Sequence, residues 1–353
     1  MSQIATRRGL ALAVALSLLV AVLLAVSQQG AEAAGGSYRN YRAIEFNYCG
    51  AKCKAPEDVS GNPNGLPTDR EGGPALDKAN ELIAKVKSWG PDAVFLNEVC
   101  LSDLWMLAKR NATVWPGTAN SAGIPIGFSI DQANEPLCDA VPDGPAAGSK
   151  AHGNAILVPT SRALSNPKEW NMRNLAAGGC SGVSQCRPAL CVTVNDTPYS
   201  THLCVAHTNT SAADARTESK NLAEIALSKY PSSGSPVIVG GDLNLERTDQ
   251  GLDHLYVGGG HTYSKFEEAD QCTTRAGHIN QSSTQDGCNE WTKDQSGDGN
   301  TVLDRKIDYV FLRQAYFRSN PGTTTVNHSA YSDHGIYLTS ARECSTASMA
   351  ECN

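Results

Sequence analysis

Six acids and amides and one histidine stand at the ends of apolar runs. Asn47 closes the run at 41–48, Glu98 follows AVFLN, and Asp242 and Asn244 lie in GGDLN after PVIVG. Asp308 sits in KIDYVFL, and Asp333 and His334 immediately precede GIYLT. A carboxylate at the end of a buried strand is a poor choice for stability, because it brings charge beside a low dielectric. It becomes a good choice if several strand ends converge on one cation, which offsets their mutual repulsion. A hard cation such as Mg²⁺ takes oxygen ligands, keeps several waters and needs only one or two carboxylates. Mn²⁺ and Ca²⁺ are alternatives for the same donors. Singly, each piece has an ordinary explanation: an Asx turn for GDLN, a solvated edge acid for Glu98, a pairing of Asp308 with Arg305 or Lys306, a surface turn for Asp333-His334. Their joint occurrence along the chain is what points to a metal-assisted site. Gly240 and Gly241 are expected to let backbone and substrate approach closely.

Such a site needs strands that end together. Strands are expected at 41–48, 93–97, 154–158, 187–194, 200–207, 236–240, 307–312 and 335–339. They are rich in Val, Ile, Tyr and Phe, and several are near-continuous apolar runs, as for strands buried on both faces. Helices are expected at 74–88 and 212–229. In the first, Leu76, Ala79, Leu82, Ile83 and Val86 recur at helical spacing, Pro74 suits the first turn, and Gly90-Pro91 ends it. Residues 259–300 are polar and Gly-rich and read as a long surface excursion.

The 353 residues are 41% hydrophobic and 18% charged, which excludes a disordered chain and a polytopic membrane protein. A formal net charge of −7 argues against general attraction to polyanions, though not against a local phosphate site. Arg7 and Arg8, the apolar run 9–26 and the small residues Ala31, Ala33 and Ala34 read as a cleavable export signal over 1–33. The arginine pair also loosely resembles a twin-arginine signal. Twelve cysteines, an even number, suit an oxidising compartment. No C-x₂-C spacing for a thiolate metal site occurs. Their near-neighbour spacing suggests six disulfides: 49/53, 100/138, 180/186, 191/204, 272/288 and 344/352. The chain is expected to be secreted and monomeric, without stable membrane association once the signal is removed.

EFNYC, LNEV, GNAILV, a central histidine strand, GGDLN, KIDYVFL and YSDHGIY, in this order over residues 40–340, resemble the endonuclease/exonuclease/phosphatase superfamily with its deoxyribonuclease-I-like fold. The resemblance implies a four-layer α/β sandwich with two central mixed β-sheets, filling 34–342 ahead of a disulfide-tied tail at 343–353. It also implies Mg²⁺-dependent hydrolysis of phosphoester bonds. Asn47, Glu98 and Asp333 are similar to the family's metal-side groups, Asp242 to the acid that orients or deprotonates water, and Asn244 to a phosphate-oxygen donor. Asp308 and His334 are similar to its carboxylate–imidazole dyad. Asn97 stands where the family usually has Gln, which leaves the metal ligand intact and bears only on a supporting contact.

The extracellular branch and the sphingomyelinases carry a second histidine, for which His202 and His207 compete. The family's T-H-L letters favour His202. Geometry favours His207, since 187–194 and 199–206 read as a hairpin whose second strand ends there, beside Arg187, the candidate phosphate clamp. If Cys191 faces Cys204, however, strict alternation sets Arg187 on the face of His202, and both alternatives stay open. The expected substrate is extracellular DNA or RNA. A sphingomyelinase-like or small-molecule phosphoester hydrolase is the second reading, weakened by the absence of an exposed aromatic cluster. A non-catalytic binding module on the same fold is the third.

Overall fold

The computed structural model describes residues 38–48, 74–110, 114–115, 127–132, 138, 140–141, 146–178, 187–195, 200–230, 235–270, 292, 305–319, 324–327, 329 and 332–344. The export signal, four of the six expected disulfides in whole or part, and most of the C-terminal tail lie outside them.

One sheet contains eight strands. They are β1 (Tyr38–Asn47), β2 (Ala93–Cys100), β3 (Val114–Trp115), β4 (Phe128–Gln132), β5 (His152–Pro159), β13 (Phe317–Ser319), β14 (Thr325–Asn327) and β15 (Ile336–Cys344). Its order is β13-β15-β1-β2-β5-β3, with β14 also on β15 and β4 on β5. The second sheet contains β6 (Ala163–Asn171), β7 (Ala176–Ala177), β8 (Pro188–Asn195), β9 (Ser200–Ala206), β10 (Val237–Asp242), β11 (Phe266–Glu268) and β12 (Asp308–Arg313). Its order is β11-β12-β10-β9-β8-β6-β7. Both sheets are mixed: β1–β2 and β9–β10 are parallel pairs, whereas β1–β15 and β10–β12 are antiparallel.

The expected apolar runs form the central strands because both faces are covered. Between the sheets, Phe95 and Ile156 of the first meet Leu190, Leu203, Ile238 and Val310 of the second. Outside the first, Ile44, Phe46, Val94 and Leu96 pack on α1 (Pro74–Trp89) and α2 (Leu101–Arg110). Outside the second, Cys191, Cys204, Val237 and Val239 pack on α3 (Ala212–Glu224), which continues as a π turn over Ile225–Lys229. Helix, sheet, sheet and helix are the four layers. No helix among the described residues is long and apolar enough to cross a membrane.

The topology sets where side chains can gather. β1, β2 and β10 run toward one rim, and β12 and β15 run away from it. Asn47 pairs with Asn97, and Asp242 with Asp308. The C-terminal ends of the first three strands therefore share an edge with the N-terminal ends of the other two. The glycines before Asp242 serve packing here rather than substrate access. A Cβ on Gly240 would lie 2.4 Å from the Phe95 ring, and one on Gly241 1.9 Å from the Ala206 carbonyl oxygen.

Two expectations change. The segment 259–300 is described at 259–270 and 292, and only part of that is surface: residues 260–262 are exposed, whereas Phe266, Glu268, Asp270 and Thr292 are buried and β11 pairs with β12. Lys306 supplies the reason, as its buried ammonium lies 3.1 Å from both Glu268 Oε1 and Asp270 Oδ2. The expected tail at 343–353 begins inside β15, which runs through Glu343 to Cys344. Cys100–Cys138 and Cys191–Cys204 are bonded, and Cys344 is disulfide-bonded to a residue outside the described set.

Candidate active site

Asp242, 1% exposed, is the hub of the shared rim. Its Oδ2 accepts from Asn47 Nδ2 at 3.0 Å, and its Oδ1 accepts from the Asn244 backbone N–H at 2.9 Å. Two imidazoles face the same Oδ2: His334 Nε2 at 3.7 Å and His207 Nε2 at 3.9 Å. Asn244 adopts φ 47°, a left-handed conformation that asparagine tolerates, and its Nδ2 donates to the Thr208 carbonyl at 2.9 Å. One hydrogen of that amide remains for another acceptor.

The two histidines sit in opposite settings. His334 Nδ1 lies 2.8 and 3.0 Å from the two oxygens of buried Asp308, so Nδ1 carries the proton and Nε2 is left toward Asp242 and, at 3.9 Å, Asp333. Asp308 is itself fixed by the backbone: its N–H donates to Thr292 Oγ1 at 3.1 Å. His207 Nδ1 lies 3.2 Å from Arg187 Nη1. A guanidinium can only donate, so His207 Nδ1 accepts and its Nε2 carries the proton, 3.5 Å from Glu98 Oε1. Arg187 is braced from the other sheet by Asp131 Oδ2 at 2.7 Å. Burial raises the Asp131 carboxyl above its ordinary range despite the opposing pull of Arg187.

Glu98 reaches the rim through a bulge. In the β2–β5 ladder Leu96 opposes Ala155 and Val99 opposes Gly153, so Asn97 and Glu98 together face Asn154 alone. Glu98 takes φ 49°, uncommon for a side chain of this kind. Bulges of this sort re-aim a side chain at the end of a strand. Asp333, 34% exposed, stands at the mouth.

The structure thus gathers Asn47, Glu98, Arg187, His207, Asp242, Asn244, Asp308, Asp333 and His334, and it leaves His202 apart. In the parallel β9–β10 pair His202 is level with Val237, five residues before Asp242, or roughly 16 Å along the strand. His202 hydrogen-bonds Thr193 Oγ1 at 3.0 Å and packs edge-on against Tyr230. Burial, helped by Arg313, lowers it to about 4. The alternation problem dissolves because Arg187 precedes β8, where Pro188 begins the ladder, and is not bound to either face. Cys191 does oppose Cys204. Arg305 and Lys306 do not take Asp308: the first pairs with Glu246 at 3.1 Å, the second with Glu268 and Asp270.

Asp242, Asp308 and His334 each offer a ligand atom, all within 4.8 Å of one another. Asp308 commits both oxygens to His334, so a cation at this rim is assigned to the Glu98 and Asp333 carboxylates and the Asn47 amide oxygen. All are hard oxygens, the set that Mg²⁺, Mn²⁺ or Ca²⁺ prefers. Sequence reasoning missed Asp131, Thr208, Thr292 and Ser332, whose Oγ donates to the Asn47 carbonyl at 2.9 Å and accepts from the His334 N–H at 3.1 Å. Each is a common polar residue whose role exists only through contacts distant in the chain. The carboxyl of Glu45, fully buried, makes no hydrogen bond among the described residues. Burial first, then Asp308 and Asp242, hold its carboxyl well above the ordinary range.

A two-sheet sandwich with this rim of acids, amides and imidazoles defines a phosphoesterase-type fold. The chain belongs to the Endonuclease/Exonuclease/phosphatase family, whose model matches residues 61–334. Members are metal-dependent phosphoester hydrolases, and this chain is an enzyme of that kind. Among solved structures it is similar to a family protein from Bacteroides thetaiotaomicron (TM-score 0.54, 13% identity, 87% of this chain and 99% of that one). It is also similar to the mannosyl-6-phosphatase of the same organism (TM-score 0.52, 12% identity, 85% and 98%) and to the human nocturnin catalytic domain (TM-score 0.51, 13% identity, 87% and 95%). At these identities the likeness speaks for the fold alone. No curated protein matches the chain.

Proposed function

We propose that the chain is an exported, Mg²⁺-dependent phosphodiesterase that cuts extracellular DNA or RNA by attack of water on phosphorus. The observation that carries this reading is the pair of imidazoles facing one carboxylate oxygen, one held at Nδ1 by the Asp308 carboxylate and the other by the Arg187 guanidinium. Diester cleavage makes two opposite demands: a water must lose a proton, and a departing alkoxide must gain one. His334 Nε2, the nitrogen not engaged by Asp308, takes the proton of a water oriented by Asp242. His207 Nε2–H hydrogen-bonds the departing oxygen and stabilises its charge until it takes a proton from solvent. Arg187 and the second hydrogen of the Asn244 amide hold the non-bridging oxygens. Glu98, Asn47 and Asp333 hold Mg²⁺, which when bound neutralises charge developing on the phosphoryl group. The export signal at 1–33 and the cysteine-rich composition support an oxidising destination.

The test is to incubate the disulfide-intact protein with plasmid DNA, RNA, sphingomyelin and a phosphomonoester, each with Mg²⁺ and with EDTA. Mg²⁺-dependent loss of DNA or RNA is expected. Hydrolysis of the monoester or of sphingomyelin alone, or turnover that survives EDTA, sinks the reading. Recovery from the medium of a chain lacking its first 33 residues checks export.

A further inference from the structure

The proposed chemistry makes no use of Asn97, yet it is fully buried in the seam and bonds to Asp242 and to neighbours of Asn47 and His207, with Glu98 next in the chain. Its Oδ1 accepts the backbone N–H of Asp242 at 2.8 Å. Its Nδ2 donates to Asn154 Oδ1 at 2.8 Å and to the Ala206 carbonyl at 3.2 Å. Its own carbonyl accepts the N–H of Tyr48 at 2.8 Å, one residue after Asn47. Ala206 immediately precedes His207, and Glu98 immediately follows Asn97. One short amide therefore links β2 and β5 of the first sheet to β9 and β10 of the second, at the level where Asp242, His207 and Glu98 meet.

We propose that Asn97 is a positioning residue that fixes the separation between Glu98 on one sheet and Asp242 and His207 on the other, without touching a reacting atom. The inference rests on the reading of those three as metal ligand, water-orienting acid and hydrogen-bond donor to the departing oxygen. Only a neutral amide suits the place. It presents one acceptor to an N–H and two donors to carbonyl-type oxygens, whereas a carboxylate would turn lone pairs on both Asn154 Oδ1 and the Ala206 oxygen. The bulge makes the arm length matter. With Glu98 held in a left-handed conformation, the amide one residue earlier ties its backbone across the sheets, and a shift of about 1 Å in such a constellation costs on the order of a hundredfold in rate.

The experiment compares wild type, Asn97→Leu, Asn97→Asp, Asn97→Gln, Asp242→Ala and Val94→Ala, the last a core truncation on the same strand facing the outer helices. Three quantities are read: steady-state hydrolysis of bis(p-nitrophenyl) phosphate with Mg²⁺, Tm, and Mn²⁺ affinity of the substrate-free protein by calorimetry. Asn97→Leu is expected to lose about a hundredfold in kcat with KM within about threefold, and to bind Mn²⁺ about tenfold more weakly. Asn97→Gln, which keeps the amide on a longer arm, regains at least about tenfold in kcat. Val94→Ala loses Tm but keeps kcat and Mn²⁺ affinity. If Asn97→Leu does not fold, Asn97→Asp is read in its place with the same expectation. An inactive wild type, or an active Asp242→Ala, overturns the reading of the site, and Mn²⁺ affinity alone then decides the case of Asn97. An active wild type with an Asn97 variant matching Val94→Ala in kcat and Mn²⁺ affinity overturns the positioning role.

Discussion

Replacing Asp242 or His334 by alanine should abolish metal-dependent turnover while leaving Tm within a few degrees, as read by steady-state assay and thermal unfolding. Asp308→Asn keeps the shape but loses the charge that holds the His334 tautomer, and should cost roughly 10²–10⁴ in kcat. The histidines should separate sharply: His207→Ala loses about 10² or more in kcat, and His202→Asn stays within about twofold. His202 should show itself in stability instead. Its folded pKa of about 4 lies below the ordinary histidine value, so the unfolded chain binds the extra proton first. That stabilisation is complete above the unfolded pKa and fades as pH falls toward the folded one. It should amount to about 2 kcal/mol between pH 7.5 and 5. Urea unfolding of His202→Asn, which keeps a partner for Thr193, should show an acid slope shallower by that amount. Residue types at strand ends were legible because charge beside an apolar run is anomalous. The choice between His202 and His207 was not, since five residues of register along β9 decide it and letters carry no register.

At the scale of elements, the strands buried on both faces read plainly, as AVFLN and PVIVG do. Those that failed to read have mixed surfaces or no punctuation. β6, ALSNPKEWN, carries a proline and a polar face near the sheet edge. α2 follows β2 directly at Cys100–Leu101, with no glycine, proline or capping residue to mark the change. β11 lay hidden because its buried acids look like surface until Lys306 is placed beside them. The Glu98 bulge is invisible in sequence and gives an unusual expectation. Glycine normally weakens a strand, but at φ 49° it removes steric cost, so Glu98→Gly should be about 1 kcal/mol more stable than Glu98→Ala. Both should lose Mn²⁺ binding by calorimetry. Around Lys306, burial lowers the ammonium pKa, but Asp270 and Glu268 outweigh it and the net shift is upward. Burial and Asp270 push Glu268 to about 8. Lys306→Met leaves buried acids without their counter-ion and should cost about 3–5 kcal/mol in urea unfolding.

For the whole molecule, the disulfides close loops of different length. Loop entropy favours Cys100–Cys138, separated by 38 residues, over Cys191–Cys204, separated by 13. Removing the first should cost about 4 kcal/mol and the second about 3. Chemical denaturation of the two Cys→Ser pairs checks the ranking. The chain order has a further consequence. The second sheet uses one continuous stretch, β6 to β12, while the first is begun by β1 to β5 and finished by β13 to β15. His334 and β15, which lies beside β1, thus follow every other described strand in the chain order. A polypeptide cut before His334 keeps most of the groups gathered at the rim but lacks the strand that pairs antiparallel with β1. A fragment cut after β12 should accordingly be inert in the hydrolysis assay, because the rim is complete only when β15 lies against β1.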